Sequence, residues 1–287
     1  MHDELPAQPG ASATAIQHHY DVGDEFYRLW LDPSMSYSAA LFAPGDSLES
    51  AQNRKLDYHI EQLRVNERSR VLDVGCGWGA MLRRLVLNAK VEAAVGLTLS
   101  EAQHRLIRAQ GIPGISAHLE GWKAHQPDAS YDAIVSIGAF EHFARPELSA
   151  SEKVAAYREF FRFCHSALVP YGRLSLQTIC FGTLRAGRID PFISQRVFPE
   201  SDLPYPWEVL EAADGYFEVR ALRNDRTHYA QTCREWYRNL KANHDRAVAL
   251  VGEEKVAEYE RYLKISVASF ATHALGLLRV SFDRLKA

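Results

Sequence analysis

Val71-Leu72-Asp73-Val74-Gly75-Cys76-Gly77-Trp78-Gly79 sets a short apolar strand directly before a glycine-rich turn. Such a turn lets the backbone approach a ligand that side chains would hold off, with N–H groups facing it. Two cofactor classes use a turn of this kind. Read as G-x-G-x-x-G/A, Gly75, Gly77 and Ala80 fit a dinucleotide fingerprint. Read as D-x-G-x-G, with Asp73 ahead of the first glycine, the same stretch fits the amino-acid end of S-adenosylmethionine (SAM).

Outward from the turn, short apolar runs alternate with helical patterns. Leu56, Ile60 and Leu63 lie at helical spacing in a predicted helix over 49–64, with Ser47 or Asp46 as its cap. Strands are predicted over 70–74, 92–97, 131–137 and 172–179, and helices over 80–87, 100–109 and 152–168. Such alternation specifies an α/β fold with a Rossmann-like, doubly wound, mostly parallel sheet. Segments 217–222 and 228–233 are expected to supply the last strands. A helix is expected over 235–243, and a long helix over the final 35 residues. Residues 1–15 are expected to be disordered, and 16–287 to form one domain. Within it, 16–42 reads as a lid, and 181–206, rich in Gly, Pro and aromatics, as a substrate-side insertion.

The chain has 287 residues, 47% hydrophobic and 24% charged, with a formal net charge of −3. That balance gives no global attraction to nucleic acid, and Arg185, Arg188 and Arg196 read as scattered surface groups. No apolar run approaches the roughly 20 residues that span a bilayer, and the N-terminus lacks a signal-peptide pattern. A cytoplasmic enzyme is expected; membrane contact is not indicated and would need an exposed basic or apolar face, for which 181–206 is a candidate. The four cysteines form no C-x-x-C pair, and the histidines have no metal-ligand spacing, so no metal is expected.

The cofactor question is decided downstream of the turn. A dinucleotide site wants an acid at the tip of the second strand, to hold the ribose. Here that strand ends Val95-Gly96-Leu97-Thr98-Leu99-Ser100, with Thr98 and Gln103 as weaker ribose partners. Gly121-Trp122 follows the next strand, where an indole can stack on adenine. No Tyr-x-x-x-Lys or other hydride-transfer constellation is present, which leaves an NAD(P)-dependent oxidoreductase as a remote alternative.

Four segments together resemble the cyclopropane-fatty-acid synthases, including the mycolic-acid cyclopropane synthases. They are His18-His19-Tyr20-Asp21-Val22-Gly23-Asp24-Glu25-Phe26-Tyr27 running on to Tyr37-Ser38, the Leu72–Gly79 turn, Gly96–Ser100, and Ser136-Ile137-Gly138-Ala139-Phe140-Glu141-His142-Phe143. The resemblance implies a SAM-dependent class I methyltransferase. It places Tyr37, Ser38, Asp73, Gly75, Gly77 and Gly79 at the methionine end of SAM. Thr98, Leu99 and Gln103 fall at the ribose, and Gly121 and Trp122 at the adenine.

The resemblance also implies chemistry at a carbon–carbon double bond, with a bound bicarbonate as base. Its ligand positions fall on Ala39, Glu141, Gln177, Ile179 and Tyr229, where relatives carry Cys at the first and His at the third. Each lost partner of a buried anion costs on the order of 1–3 kcal/mol, so bicarbonate binding is expected to weaken about tenfold or more. Glu141, Tyr229 and Gln177 are therefore the expected catalytic set, and Tyr20, Tyr27, Ala39, Phe140 and Ile179 the expected substrate pocket. These changes favour C-methylation of an apolar or unsaturated small metabolite. The alternative is a lipid cyclopropane synthase acting on unsaturated acyl chains.

Overall fold

A computed structural model describes residues 10, 12, 22–193, 196 and 200–286. Apart from Gly10 and Ser12, the N-terminal stretch expected to be disordered lies outside the described residues, as does the start of the lid up to Asp21. Helices α1 (Asp24–Arg28) and α2 (Leu48–Leu63) precede the sheet. The alternating part runs β1 (Arg70–Val74), α3 (Ala80–Arg83), β2 (Ala93–Thr98), α4 (Glu101–Gln110), β3 (Ile115–Leu119) and β4 (Tyr131–Ile137). It continues through α5 (Ala150–Ala167), β5 (Leu168–Phe181), α6 (Pro206–Ala213) and β6 (Phe217–Asn224). Helices α7 (Arg226–Ala242), α8 (His244–Val251) and α9 (Glu253–Ala271) lead to β7 (Leu275–Arg284).

The strands form one seven-stranded sheet in the order β3-β2-β1-β4-β5-β7-β6. β1 to β5 pair in parallel, while β7 runs antiparallel to both β5 and β6. The central strands are buried on both faces, which explains why Val71-Leu72 and Ala133-Ile134-Val135 read as continuous apolar runs. One face packs Tyr157, Phe160, Phe161 and Cys164 of α5 onto Leu72, Ile134, Leu174 and Leu176. The other packs Leu56 and Leu63 of α2 and Met81 and Leu82 of α3 onto Val71, Ala94 and Val135. Ser47 accepts from the Ser50 N–H at the start of α2, and Ser100 from the Gln103 N–H at the start of α4, so both helices are side-chain capped. No described helix is long and apolar enough to cross a membrane.

Two expectations at the C-terminal end need correction. Residues 228–233 lie inside α7 rather than in a strand. Tyr229, Cys233, Trp236 and Leu240 recur at helical spacing and are all buried, and that period outweighs the β-branched and aromatic composition of the stretch. The final 35 residues are a helix only as far as Ala271, after which His273 takes a left-handed backbone (φ 66°) and the chain returns as β7. β7 is the partner that β5 and β6 share, which a helix could not be.

Helices α7 and α9, with α1, enclose a third core of mostly aromatic side chains. Phe26, Tyr27, Trp30, Trp236 and Tyr259 are its centre. Tyr27 and Trp30 lie 5.3 Å apart between ring centroids, and Trp30 and Trp236 5.7 Å. The segment read as a lid is therefore also a structural wall.

The glycine turn needs Gly96 of β2 as much as its own glycines. A Cβ built on Gly96 would stand 2.7 Å from both the Cys76 Sγ and Leu82 Cδ1. Overpacking of this kind costs about 1–3 kcal/mol. Gly96→Ala is expected to lower the urea midpoint correspondingly at unchanged m-value; a wild-type midpoint would show that the turn gives way freely.

Candidate functional site

The turn after β1 is held by backbone bonds, with the Gly75 N–H (3.0 Å) and Cys76 N–H (2.9 Å) both donating to the Leu97 carbonyl. Gly75, Gly77 and Gly79 all have positive φ, at 83°, 53° and 80°. At Gly75 a side chain is excluded twice over, because its Cβ would meet that of Ala139 at 2.4 Å. At Gly77 a Cβ would meet nothing, so that glycine faces open space.

That space is a cleft across the carboxyl ends of β1, β2 and β4, where ligands lie in open α/β sheets. Gly75, Gly77, Thr98, Leu99 and Gln103 line it, joined by Gly121 and Trp122 after β3 and by Tyr37 and Ser38 ahead of α2. The sequence expectation placed these nine residues on one ligand, and the fold brings them to one cleft. Asp73 and Gly79 do not line it: Asp73 is buried beneath the turn, and Gly79 is the N-cap of α3. Thr98 donates to Gln103 Oε1 at 2.7 Å, which leaves the Gln103 amide N–H groups as the donors for a ribose. Trp122 has a double role, since its ring also meets Phe143 and Phe160 at 5.5 Å each.

Two charged residues in the cleft went unread in the sequence. Glu120 lines it beside Gly121 and pairs with His125 Nδ1 at 2.7 Å. Lys55, on α2, lines it from the other end and donates to Ser38 Oγ at 3.1 Å. Burial pulls the Lys55 ammonium down to about 8, against the raising effect of Asp32 and Asp73. Burial likewise pushes Asp73 up to about 7, with Lys55 opposing. A buried cation at the end of the cleft next to Tyr37 and Ser38 suits a carboxylate, and glycines facing open space suit a close-lying chain. The residues present thus fit SAM. Lys55→Met is expected to weaken SAM binding about tenfold or more in calorimetry; unchanged affinity would remove Lys55 from the site.

A second cavity, of about 300 Å³, adjoins the first. The two share Tyr37, Ser38, Gly138 and His142 as a common wall. Glu141, Gln177, Ile179 and Tyr229 line the second cavity, amid Leu184, Ile189, Ile193 and Leu203 of the segment 181–206 and Ile265 and Phe270 of α9. Tyr229 stacks on Phe270, with centroids 4.3 Å apart. Glu141 Oε1 accepts from the Ile179 N–H at 2.6 Å, while Oε2 is buried with no partner among the described residues. Burial drives the Glu141 carboxyl up to about 7, against the Ile179 N–H. His142 is pulled down to about 4 by burial, with Nδ1 on Ser201 Oγ at 2.7 Å.

Three residues expected in the substrate pocket lie elsewhere. Tyr27 is fully buried in the aromatic core, its hydroxyl 2.8 Å from that of Tyr259. Phe140 stacks on Tyr157 of α5 at 4.4 Å, on the far side of the strand end. Ala39 is fully buried, with its carbonyl turned to Arg279. Tyr20 lies outside the described residues. Of the described members of that set, Ile179 lines the cavity.

Comparison with known proteins places these features. A family model described as mycolic acid cyclopropane synthetase matches residues 8–280. Cyclopropane mycolic acid synthase 3 of Mycobacterium tuberculosis is 36% identical over 268 residues, covering 87% of this chain and 88% of that protein. The S-adenosylmethionine-dependent methyltransferase UmaA of the same species is 37% identical over 268 residues, covering 86% and 89%. The crystal structure of mycolic acid cyclopropane synthase CmaA1 with SAH and CTAB matches at a TM-score of 0.85 and 33% identity, covering 96% of this chain and 99% of that one. With the family model matched over residues 8–280 and the relatives covered over nearly their whole length, the chain belongs to the mycolic acid cyclopropane synthase family and is a SAM-dependent methyltransferase of class I fold.

Proposed function

We propose that the acceptor is an unsaturated acyl chain, and that Glu141 takes the proton released after methyl transfer. The observation that carries this is the apolar cavity of about 300 Å³ joined to the cofactor cleft through Tyr37, Ser38, Gly138 and His142. Leu184, Ile189, Ile193, Leu203, Ile265 and Phe270 give it a largely apolar lining, with Glu141, Gln177, Tyr229, Arg188, Asp190, Ser266 and Ser269 among its polar groups. This suits a hydrocarbon chain better than the compact metabolite favoured by the sequence. Relatives named for mycolic acid modification, and CmaA1 crystallised with the lipid-like CTAB, support the same reading.

SAM, when bound, supplies an electrophilic methyl group. The chain's residues then have three tasks. Aromatic faces of Tyr37, Tyr229 and Tyr262 line the acceptor cavity, where positive charge on the substrate carbon is stabilised by ring quadrupoles. The lid residues Tyr37 and Ser38 close the cleft from above the strand ends and exclude water. Glu141 receives the proton on Oε2, since Oε1 is already bonded to the Ile179 N–H. Alanine at 39 and glutamine at 177 supply no thiol or imidazole at these positions to share that task.

The test supplies SAM and vesicles of dioleoylphosphatidylglycerol, with methylated acyl chains read by mass spectrometry. Turnover is expected without bicarbonate, in carbon-dioxide-depleted buffer. A rate that climbs severalfold on adding bicarbonate would sink the assignment of Glu141 as base.

Glu141 also sets a pH dependence. Its carboxylate form is the active one, so kcat is expected to rise with pH to half-maximum near pH 7, the value to which burial drives it. Glu141→Gln should remove that limb and lower kcat about 10²–10⁴-fold. Stability runs the opposite way, because a carboxyl raised on folding favours the protonated fold. Its contribution is full below the ordinary carboxyl value of 4.5 and is lost as pH rises through about 7. At pH 8, Glu141→Gln is therefore expected to be more stable than the parent by on the order of 2–4 kcal/mol in urea titration.

A further inference from the structure

Ala39 and Gln177, the two of the five anion-ligand positions at which the sequence departs from the resemblance, are bonded to one buried side chain. Arg279 lies in the middle of β7, in register with Gln177 of β5. It is fully buried. Its Nε donates to Gln177 Oε1 at 2.8 Å, and its Nη2 to the carbonyls of Ala39 and Ala40 at 3.0 Å each. Nη1 donates to the carboxylate of Asp225, at the start of α7. Four elements thus meet on one guanidinium: β5, β7, the strap behind Tyr37-Ser38, and the helix that carries Tyr229.

A guanidinium has donors only, so the group it meets must present an acceptor. Gln177 is therefore held with Oε1 toward Arg279 and cannot be flipped. His59 reinforces this, with Nε2 3.4 Å from the same oxygen. The two amide N–H donors are what Gln177, a wall residue of the acceptor cavity, has left to offer a substrate. A lysine here would supply one compact charge in place of the fork that reaches three directions at once.

We infer that Arg279 is a positioning residue for methyl transfer: it fixes the Gln177 carboxamide with its donors toward the acceptor cavity and ties that orientation to the strap bearing Tyr37 and Ser38. The inference rests on the reading of this cavity as the acceptor site. The charge of Arg279 is balanced by Asp225, so its effect on the cavity passes through hydrogen-bond geometry. Ala39 and Gln177 belong to this arrangement as a unit, because an alanine strap lets the carbonyls approach and a glutamine supplies the acceptor.

Two readouts test it on the full chain. In ¹⁵N-labelled protein the Gln177 side-chain amide pair, assigned by its loss in Gln177→Met, is expected to shift and to rotate faster in Arg279→Lys. An unchanged pair overturns the proposal. With SAM and dioleoylphosphatidylglycerol vesicles, Arg279→Lys is expected to lower kcat about tenfold or more, as is Gln177→Met. The double variant should fall no further than about twofold below the weaker single variant. Losses that multiply would assign Arg279 a purely structural role. Where Arg279→Lys loses its native near-ultraviolet dichroism, Gln177→Glu makes the same test with the arginine in place. It accepts from Arg279 but has no N–H to offer, so kcat should drop about tenfold or more; retained kcat overturns the proposal. A parent chain that binds SAM yet transfers no methyl to the vesicles would refute the acyl reading, and the amide readout would still decide on Arg279.

Discussion

The strap from Ser36 to Phe42 has no helix or strand of its own, yet it crosses over the carboxyl ends of the sheet and is largely buried. Buried peptide groups must find partners, and here side chains provide most of them. Gln52 donates to the carbonyls of Ser36 and Ser38, and Arg279 to those of Ala39 and Ala40. The Ala40 N–H donates to Thr232, and the Phe42 N–H to His228. α2, α7 and β7 are thereby fastened to one irregular segment. The two cavities share a wall because that segment stays in place.

The same burial governs the electrostatics. Lys55, Asp73 and Glu141 are drawn toward neutrality, to about 8, 7 and 7, because each has lost water and gained few partners. Groups poised this way exchange protons or bind charge near neutral pH without large penalties. Arg279 is the exception, kept charged by Asp225 although burial lowers it too. Methyl transfer needs a cation-tolerant, dry cavity, and the burial of Glu141 together with the pairing of Arg279 to Asp225 serves that need.

Much of this was legible in the sequence, for stateable reasons. Gly75 and Gly77, strand-end Thr98 and Gln103, and the Gly121-Trp122 pair are local signals fixed by backbone geometry, and the fold brings them to one cleft. Lys55 and Arg279 were not legible. A lysine in an amphipathic helix reads as solvated, and Arg279 is one charge inside Leu277-Leu278-Arg279-Val280. In hindsight a charge within an apolar strand is the available signal, since a strand buried on both faces admits an ion only with partners. Tyr27 and Phe140 show the converse problem. Composition cannot distinguish an aromatic that lines a cavity from one packed beside it, because burial and hydrophobicity are the same in both. At 228–233, β-branched and aromatic content suggested a strand where the helical period was the stronger indicator.

β7 is the last strand in the chain but lies between β5 and β6 in the sheet. A nascent polypeptide can therefore form the cofactor turn, the parallel strands and α5 while residues 275–284 are still within the ribosome. β6 has nothing to pair with at that stage, and the strap carbonyls of Ala39 and Ala40 have no arginine. Pairing of β7 is what joins β6 to the sheet and brings Arg279 to Gln177. The cofactor turn is thus built from strands that precede in the chain the one on which the acceptor wall depends.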